Sequence, residues 1–373
     1  MIPVFRPFAG QEEIDAVAEV LRSGWWGLGP KTREFEISFG EAVGAKHVVA
    51  TNSASAALLL SLVSLDLAGR EVITPALTFA STNHAIIQAG GRPVFADVDP
   101  VTLTIDPAEI ERLVSPRTAA IMVVDYAGHP GDYDSIQDIA REHGLFVLED
   151  AAHACGATYR GRRVGSIADA TCFSFQAVKN LSTGEGGAVS LADDSRALRL
   201  GRLRLFGASR SSWERSAGKT FEWDYDIDEL GFKAHMSDIA AAIGLVQLRR
   251  LPEMNARRRQ IAEAYTSAFG ELGWLTTPAE RPEVRSAWQM YVVRVAERDR
   301  FMTHLAGHGV SSGVHFKPTH LYRPYRQFSR PLPITDEVWL RLVTLPLFPG
   351  LADSSVDQVI EAVRSFRPKV AGI

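Results

Sequence analysis

The chain has 373 residues, 46% hydrophobic and 23% charged, with a net charge of −4. These are the proportions of a soluble globular enzyme with a large domain and a smaller one, and the mild negative charge argues against a nucleic-acid binder. With only Cys155 and Cys172, no signal-peptide pattern and no run near the roughly eighteen apolar residues of a membrane span, the expectation is a cytoplasmic protein without disulfides, metal site or membrane contact.

Taken in order, residues 11–23 carry Ile14, Val17, Val20 and Leu21 on one helical face, and Gly24 is a helix-stop residue. A glycine-rich stretch with Trp25 and Trp26 follows, and Pro30 opens a second helix with Phe35 and Phe39 on its buried face. Apolar runs then recur at 47–50, 71–74, 93–97, 119–124, 145–148, 171–175 and 188–191, mostly separated by helical patterns. Such alternation predicts a mostly parallel α/β sheet. Only a short glycine-rich turn joins the last two runs, too short for a crossover helix, so that pair is expected to be antiparallel.

Beyond residue 192 the character changes. An arginine-rich helix over 192–205 leads into an irregular region around Trp213, Phe221, Trp223 and Tyr225, and a long helix runs from Ile239 to about Phe269. Strands at 290–296 and 310–315 with helices near 298–307, 335–343 and 353–366 are expected to form a compact C-terminal α+β domain. The predicted division is 1–235 for a large domain with its N-terminal segment, and 236–373 for the connector helix and the small domain.

The chemistry concentrates between 145 and 187. The run 145–148 delivers Glu149, Asp150 and His153, and the run 171–175 delivers Ser174 and then Lys179, followed by a glycine-rich turn that clears space around the lysine. Open α/β sheets place their ligands at such carboxyl ends. A carboxylate and an amine presented this way suit pyridoxal phosphate (PLP), which needs an acid for its ring nitrogen and a lysine for a Schiff base. Upstream, Thr51-Asn-Ser-Ala-Ser-Ala-Ala-Leu58 carries small residues into an apolar helix, a ready anion site at a helix N-terminus. Phe79, after the strand at 71–74, is a flat aromatic able to lie on a pyridine ring.

Glu-Asp-Ala-Ala-His, followed by Phe-Ser-Phe-x-x-x-Lys-x-x-x-x-Gly-Glu-Gly-Gly, resembles the DegT/DnrJ/EryC1/StrS family of PLP-dependent sugar aminotransferases, from Pro3 to about Phe366. The resemblance implies a fold-type-I aminotransferase sheet of seven strands with one reversed. It implies Lys179 as the catalytic Schiff-base lysine, Asp150 at the ring nitrogen and His153 at the cofactor's phenolic oxygen. Phe79 would lie on the ring, and Ser55 and Ser174 would contact the phosphate. Ala54 and Ser55 stand where the family usually has Gly-Thr. Some relatives carry His in place of the lysine and act as dehydratases, so Lys179 favours transamination.

The resemblance further implies a homodimer whose loop at 231–236 reaches the partner's site, with Lys233 and His235 where relatives often have Asn and Arg. Lys233 would there contact the phosphate as a point charge. Trp26, His315 and His320 are expected to face substrate. The implied reaction moves an amino group from glutamate or glutamine to a keto-sugar, favouring a nucleotide-linked 4-keto-6-deoxy sugar. An aminocyclitol aminotransferase acting on a keto-inositol is a second reading. A PLP lyase or dehydratase, or a non-catalytic PLP-binding regulator, would be readings of other classes.

Overall fold

The computed structural model describes residues 1–216 and 223–369; Phe221 lies outside them. Helices α1 (Gln11–Ser23) and α2 (Pro30–Val43) precede the alternating core. There follow β1 (His47–Thr51), α3 (Ala54–Val63), β2 (Glu71–Pro75), α4 (Ala80–Gln88), β3 (Arg92–Ala96), α5 (Pro107–Leu113), β4 (Thr118–Val124), α6 (Tyr133–His143) and β5 (Phe146–Asp150). A two-residue hairpin, β6 (Thr158–Tyr159) and β7 (Arg162–Arg163), then leads to β8 (Ala170–Ser174) and β9 (Gly187–Leu191). The central sheet has seven strands in the order β1-β9-β8-β5-β4-β2-β3. As the short turn predicts, β8 and β9 are antiparallel, and β9 is antiparallel to β1 as well, so it is the one reversed strand.

The strands are buried on both faces, as the continuous apolar runs require. On one face α2 presents Phe35 and Phe39 to Phe173 and Phe175 of the β8 region, the rings meeting edge-to-face at 5.0–5.4 Å. Edge-to-face contact is the favoured geometry for aromatic quadrupoles. The N-terminus of α2 is held by buried Asp238, which accepts from the Lys31 and Thr32 N–H groups at 3.0 and 2.9 Å and from the Thr32 hydroxyl at 2.7 Å.

In chain order, α7 (Asp194–Leu203) and α8 (Ser212–Ser216) follow the sheet and precede the long α9 (Asp238–Phe269). Ser237 caps α9, accepting from the Ala240 N–H at 3.2 Å. The remaining elements are β10 (Leu275–Thr276), β11 (Val284–Arg285), β12 (Tyr291–Val295), α10 (Arg298–Gly307), α11 (Pro333–Val338), β13 (Leu342–Leu345) and α12 (Asp353–Ser365). Strands β10-β12-β13 form one small antiparallel sheet, and β11 joins the β6–β7 hairpin in another. Among the described residues no helix is long and apolar enough to cross a membrane.

Three expectations are corrected. The predicted strand at 310–315 is absent: Val310 and Gly313 make only single bridges, to Ile2 and Thr344. The third strand of the small sheet is instead Leu342–Leu345, whose start falls in the predicted 335–343 helix. A short buried apolar run fits either element, and here pairing with β12 decides it. On α1, Ile14 and Leu21 are exposed, whereas Glu13 is buried, accepting from Gly10 N–H and from the Gln247 and Arg250 side chains of α9. Burial of a paired carboxylate overrides the apolar face there.

Candidate active site

Strand register assembles the first part of the site. Gly187, the first residue of β9, is paired with Thr51 at the end of β1 on one side and with Ser174 at the end of β8 on the other. The chain leaving β1 turns at Ser53 into α3, with the Ser53 hydroxyl accepting from Ala56 N–H at 3.1 Å. A helix leaves its first N–H groups without intrahelical partners, here those of Ala54 and Ser55. Gly187 is what lets α3 come this close. A Cβ on it would stand 2.5 Å from the Ser53 carbonyl carbon and 2.6 Å from the Ala54 nitrogen. Three adjacent strand ends thus bring free N–H groups, a helix dipole and the Ser55 and Ser174 side chains to one point, a donor set suited to a phosphate.

The second part lies along β5 and β8. Asp150 ends β5 and is buried; its Oδ2 accepts from the Thr82 hydroxyl at 2.7 Å and its Oδ1 from Ala152 N–H at 3.2 Å. Burial raises its pKa, opposed by those two bonds and by the charge of Lys179. Lys179 follows β8 in a turn stitched together from several elements. Val178 N–H donates to Gln176 Oε1, Asn180 Nδ2 donates to Asn255 Oδ1 and the Ala287 carbonyl, and Gln289 Nε2 donates to the Val178 carbonyl. Gly186 packs against Thr183, where a Cβ would meet the hydroxyl at 2.3 Å. Burial pushes the Lys179 amine down to about 8, Asp150 working against the shift and Arg258 with it.

The third part is aromatic. Phe79 projects its ring from the start of α4, 5.8 Å from that of Phe316, and the His153 imidazole stacks on Phe316 at 6.0 Å and 15°. Burial, with the neighbouring Lys179 charge, pushes His153 well below its ordinary pKa, so the ring is neutral. His315 bonds to Thr344 Oγ1 through Nδ1 at 2.8 Å and is held at a pKa of about 4, chiefly by burial.

Ala54, Ser55, Phe79, Asp150, His153, Ser174, Lys179 and His315 all line one cavity of about 410 Å³. That is ample for a cofactor-sized ligand. Its residues fit pyridoxal phosphate: an anion cradle at one end, a buried carboxylate at the other, and a depressed-pKa lysine with aromatic rings between. The other expected residues lie elsewhere. Trp26 is exposed and donates from Nε1 to the Leu21 carbonyl. His320 is buried at Phe95, with Nε2 2.9 Å from Asp336 Oδ1. Lys233 does not line the cavity of its own chain; its Nζ sits 5.5 Å from the Phe206 ring centre. The sequence reading assigned no part to Thr82, Gln289 and Phe316. The hydroxyls four residues apart at Thr78 and Thr82, flanking Phe79 on a helix start, were a usable signal; Gln289 and Phe316 arrive only through packing of the C-terminal segment.

A model of the DegT/DnrJ/EryC1/StrS aminotransferase family matches residues 7–364. Over 375 aligned positions the chain is 44% identical to the spore coat polysaccharide biosynthesis protein SpsC of Bacillus subtilis strain 168, spanning 97% of this chain and 96% of that one. The sugar aminotransferase CalS13 from Micromonospora echinospora superposes with a TM-score of 0.91 at 32% identity, over 98% of this chain and 100% of that one. Spr1654 from Streptococcus pneumoniae, in its PLP-form, superposes with a TM-score of 0.90 at 33% identity, over 98% of both chains.

Proposed function

Because this chain belongs to the DegT/DnrJ/EryC1/StrS aminotransferase family, we propose that it is a PLP-dependent transaminase that moves an amino group from glutamate or glutamine to a keto-sugar. The observation that carries the reading is the meeting of Lys179, its pKa lowered to about 8, with buried Asp150 in one cavity at the carboxyl ends of the sheet. The cofactor, when bound, supplies the electron sink and the carbonyl carbon that holds the amino group in transit.

The protein's own residues do the rest. Ser55, Ser174 and the first N–H groups of α3 hold the phosphate. Asp150 keeps a proton on the ring nitrogen, and neutral His153 offers a hydrogen bond to the phenolic oxygen. Phe79 would lie against one face of the ring. Lys179, whose lowered pKa of about 8 leaves a usable fraction of neutral amine near neutral pH, takes a proton at the substrate carbon and returns it.

The substrate is proposed to be nucleotide-linked, in particular a 4-keto-6-deoxy sugar. What supports the nucleotide is a second cleft, about 320 Å³, that shares Phe79 and Phe316 with the cavity and is lined by Arg298, Lys317, Tyr322 and Trp339. Arg298 lies 5.4 Å from the Trp339 ring centre and Lys317 Nζ 5.1 Å from that of Tyr322. Cations beside aromatic faces suit a diphosphate and a base. We further propose a homodimer in which Lys233 serves the partner's cavity.

A panel of nucleotide-linked keto-sugars, free keto-sugars and scyllo-inosose, with glutamate and glutamine as donors, tests the reading. Amination of a nucleotide-linked sugar, reduced at least tenfold in Arg298→Ala or Lys317→Ala through KM, is expected. Amination of scyllo-inosose alone would replace the sugar reading with a cyclitol one. Release of ammonia without amino transfer would make the protein a lyase.

A further inference from the structure

Two threonines flank Phe79, four residues apart. The Thr82 hydroxyl, in the first turn of α4, donates to Asp150 Oδ2 at 2.7 Å, and Thr78 Oγ1 lies 2.7 Å from Thr82 Oγ1. All three side chains are buried, Thr82 at 1% exposure. A hydroxyl has a single proton. Since Thr82 commits its proton to Asp150, the bond between the threonines must run from Thr78 to Thr82, so the chain of donors has one direction, ending on the carboxylate.

The turn that carries these hydroxyls is itself pinned. Asn83 donates from Nδ2 to the Pro75 carbonyl and to Thr319 Oγ1, at 3.1 and 2.8 Å, and accepts from Thr74 Oγ1 at 2.8 Å. Asp150 therefore has one oxygen held by a short hydroxyl bond from a fixed helix turn, and the other only by a longer amide bond at 3.2 Å. The titratable group acting on Asp150 is Lys179, from the turn after β8, while the Asp150 charge in turn helps raise the pKa of the neighbouring Cys172 thiol of β8, which stays neutral.

We propose that Thr82, backed by Thr78, is a positioning residue: its hydroxyl keeps the Asp150 carboxylate ionised and rotationally fixed, so that Oδ1 is the oxygen presented to the cofactor's ring nitrogen. The arrangement also ties the carboxylate at the ring's edge to the backbone that carries Phe79 at the ring's face. A donor bond to a buried carboxylate favours its charged form. Without that bond Asp150 protonates more readily, and its hold on the ring-nitrogen proton weakens.

The inference rests on Asp150 being the ring partner, so Asp150→Asn is run in parallel. Three readouts on the PLP-loaded enzyme are needed: retention of cofactor on dialysis, the pH midpoint of its visible absorbance, and kcat and KM with glutamate. Thr82→Val keeps the shape and removes the donor. It is expected to lower kcat by roughly 10- to 100-fold with KM within about threefold. It should also move the absorbance midpoint in the same direction as Asp150→Asn does, and release cofactor faster. Thr82→Ser, which keeps the hydroxyl, should restore all three. Thr78→Val should shift the same readouts in the same direction by less, and serves if Thr82→Val does not fold.

If Asp150→Asn is impaired while Thr82→Val matches the wild type in midpoint, retention and kcat, the positioning role is wrong and the site reading stands. The role is equally overturned if Thr82→Ser is as impaired as Thr82→Val, because the hydroxyl would then not be what matters. If Asp150→Asn is itself indistinguishable from wild type, the site reading has failed and the inference falls with it.

Discussion

Gly187 and Ser53 are in backbone contact: a Cβ built on Gly187 would lie 2.5 Å from the Ser53 carbonyl carbon, nearer than non-bonded carbon atoms approach. This contact lets the helix N-terminus at Ala54 and Ser55 stand beside Ser174, and so it shapes the anion cradle. The second glycine of Gly186-Gly187 is thus a packing requirement of the phosphate end, not of the lysine turn.

Gly187→Ala should displace the start of α3. Overpacking of this kind costs about 1–3 kcal/mol, and the displaced N–H groups would no longer converge on one anion. The expected result is PLP affinity reduced by roughly tenfold or more, with thermal stability lowered by only a few degrees. Equilibrium dialysis with PLP and with pyridoxal, which lacks the phosphate, separates the two effects. A loss confined to PLP supports the cradle, and equal loss for both ligands would mean that the defect lies at the lysine end.

Lys179 should impose a pH dependence on cofactor capture. Its pKa is lowered from 10.5 to about 8, mainly by burial. Only the neutral amine attacks a carbonyl, so the rate of covalent capture by cofactor-free protein should rise with pH through about 8 and level off above it. Borohydride should then trap the cofactor on the peptide containing Lys179, and Lys179→Ala should lose transamination. A capture midpoint near 10 would show that the lysine is solvated and that the cavity does not enclose it.

The parts of the site that were legible in the sequence are those built by a strand and the few residues after it. Asp150, His153, Ser174 and Lys179 follow β5 and β8, and Ser55 and Phe79 follow β1 and β2, so local pattern is enough to place them at one edge of the sheet. Gln289 and Phe316 reach the cavity from a segment more than a hundred residues later, and no periodicity encodes that approach. Where the C-terminal elements were misjudged, at 310–315 and 342–345, the same limit applied: pairing partners decide whether a short buried run is strand or helix. His320 had the motif context of a site residue, but tertiary packing buries it against Phe95 and Asp336.

Behind the site, Asp125, the residue after β4, and Glu149 on β5 form a fully buried acid pair. Tyr133 donates to Asp125 Oδ1 at 2.9 Å and Thr171 to Glu149 Oε2 at 2.5 Å. Burial raises both pKa values, and the charge of Glu149 drives Asp125 well above 3.8. The folded protein therefore keeps protons that the unfolded chain releases above its ordinary values of 3.8 and 4.5. The stability tied to these protons is complete below those values and is lost as pH rises through the raised ones. Glu149→Gln removes one of the two charges and should flatten that decline. Urea unfolding at pH 5 and pH 8 should show the wild type losing on the order of 1 kcal/mol or more relative to Glu149→Gln. Parallel stability curves for the two proteins would mean that the pair does not exchange its proton in this range.

Lys233 is exposed, and its Nζ lies by the Phe206 ring, outside the cavity of its own chain. Its neighbours Phe206, Leu230 and Phe232 are exposed apolar side chains, Leu230 at 93%. A cation carried on an apolar, uncovered segment suits delivery into a neighbouring subunit, and a twofold interface would make the exchange reciprocal. If so, Lys233→Glu should reverse a charge near the partner's phosphate and abolish its activity, as Lys179→Ala abolishes activity in its own chain. Mixing the two inactive proteins under conditions that exchange subunits should then restore one working site per heterodimer, because one cavity receives both an intact Lys179 and an intact Lys233. Half of the molecules are heterodimers at random pairing, and each has one site of two, so recovery should approach about a quarter of wild-type activity. Mass spectrometry of differently tagged protomers establishes that exchange has occurred. No recovery in a mixture shown to contain heterodimers would assign Lys233 to its own chain or to no site at all.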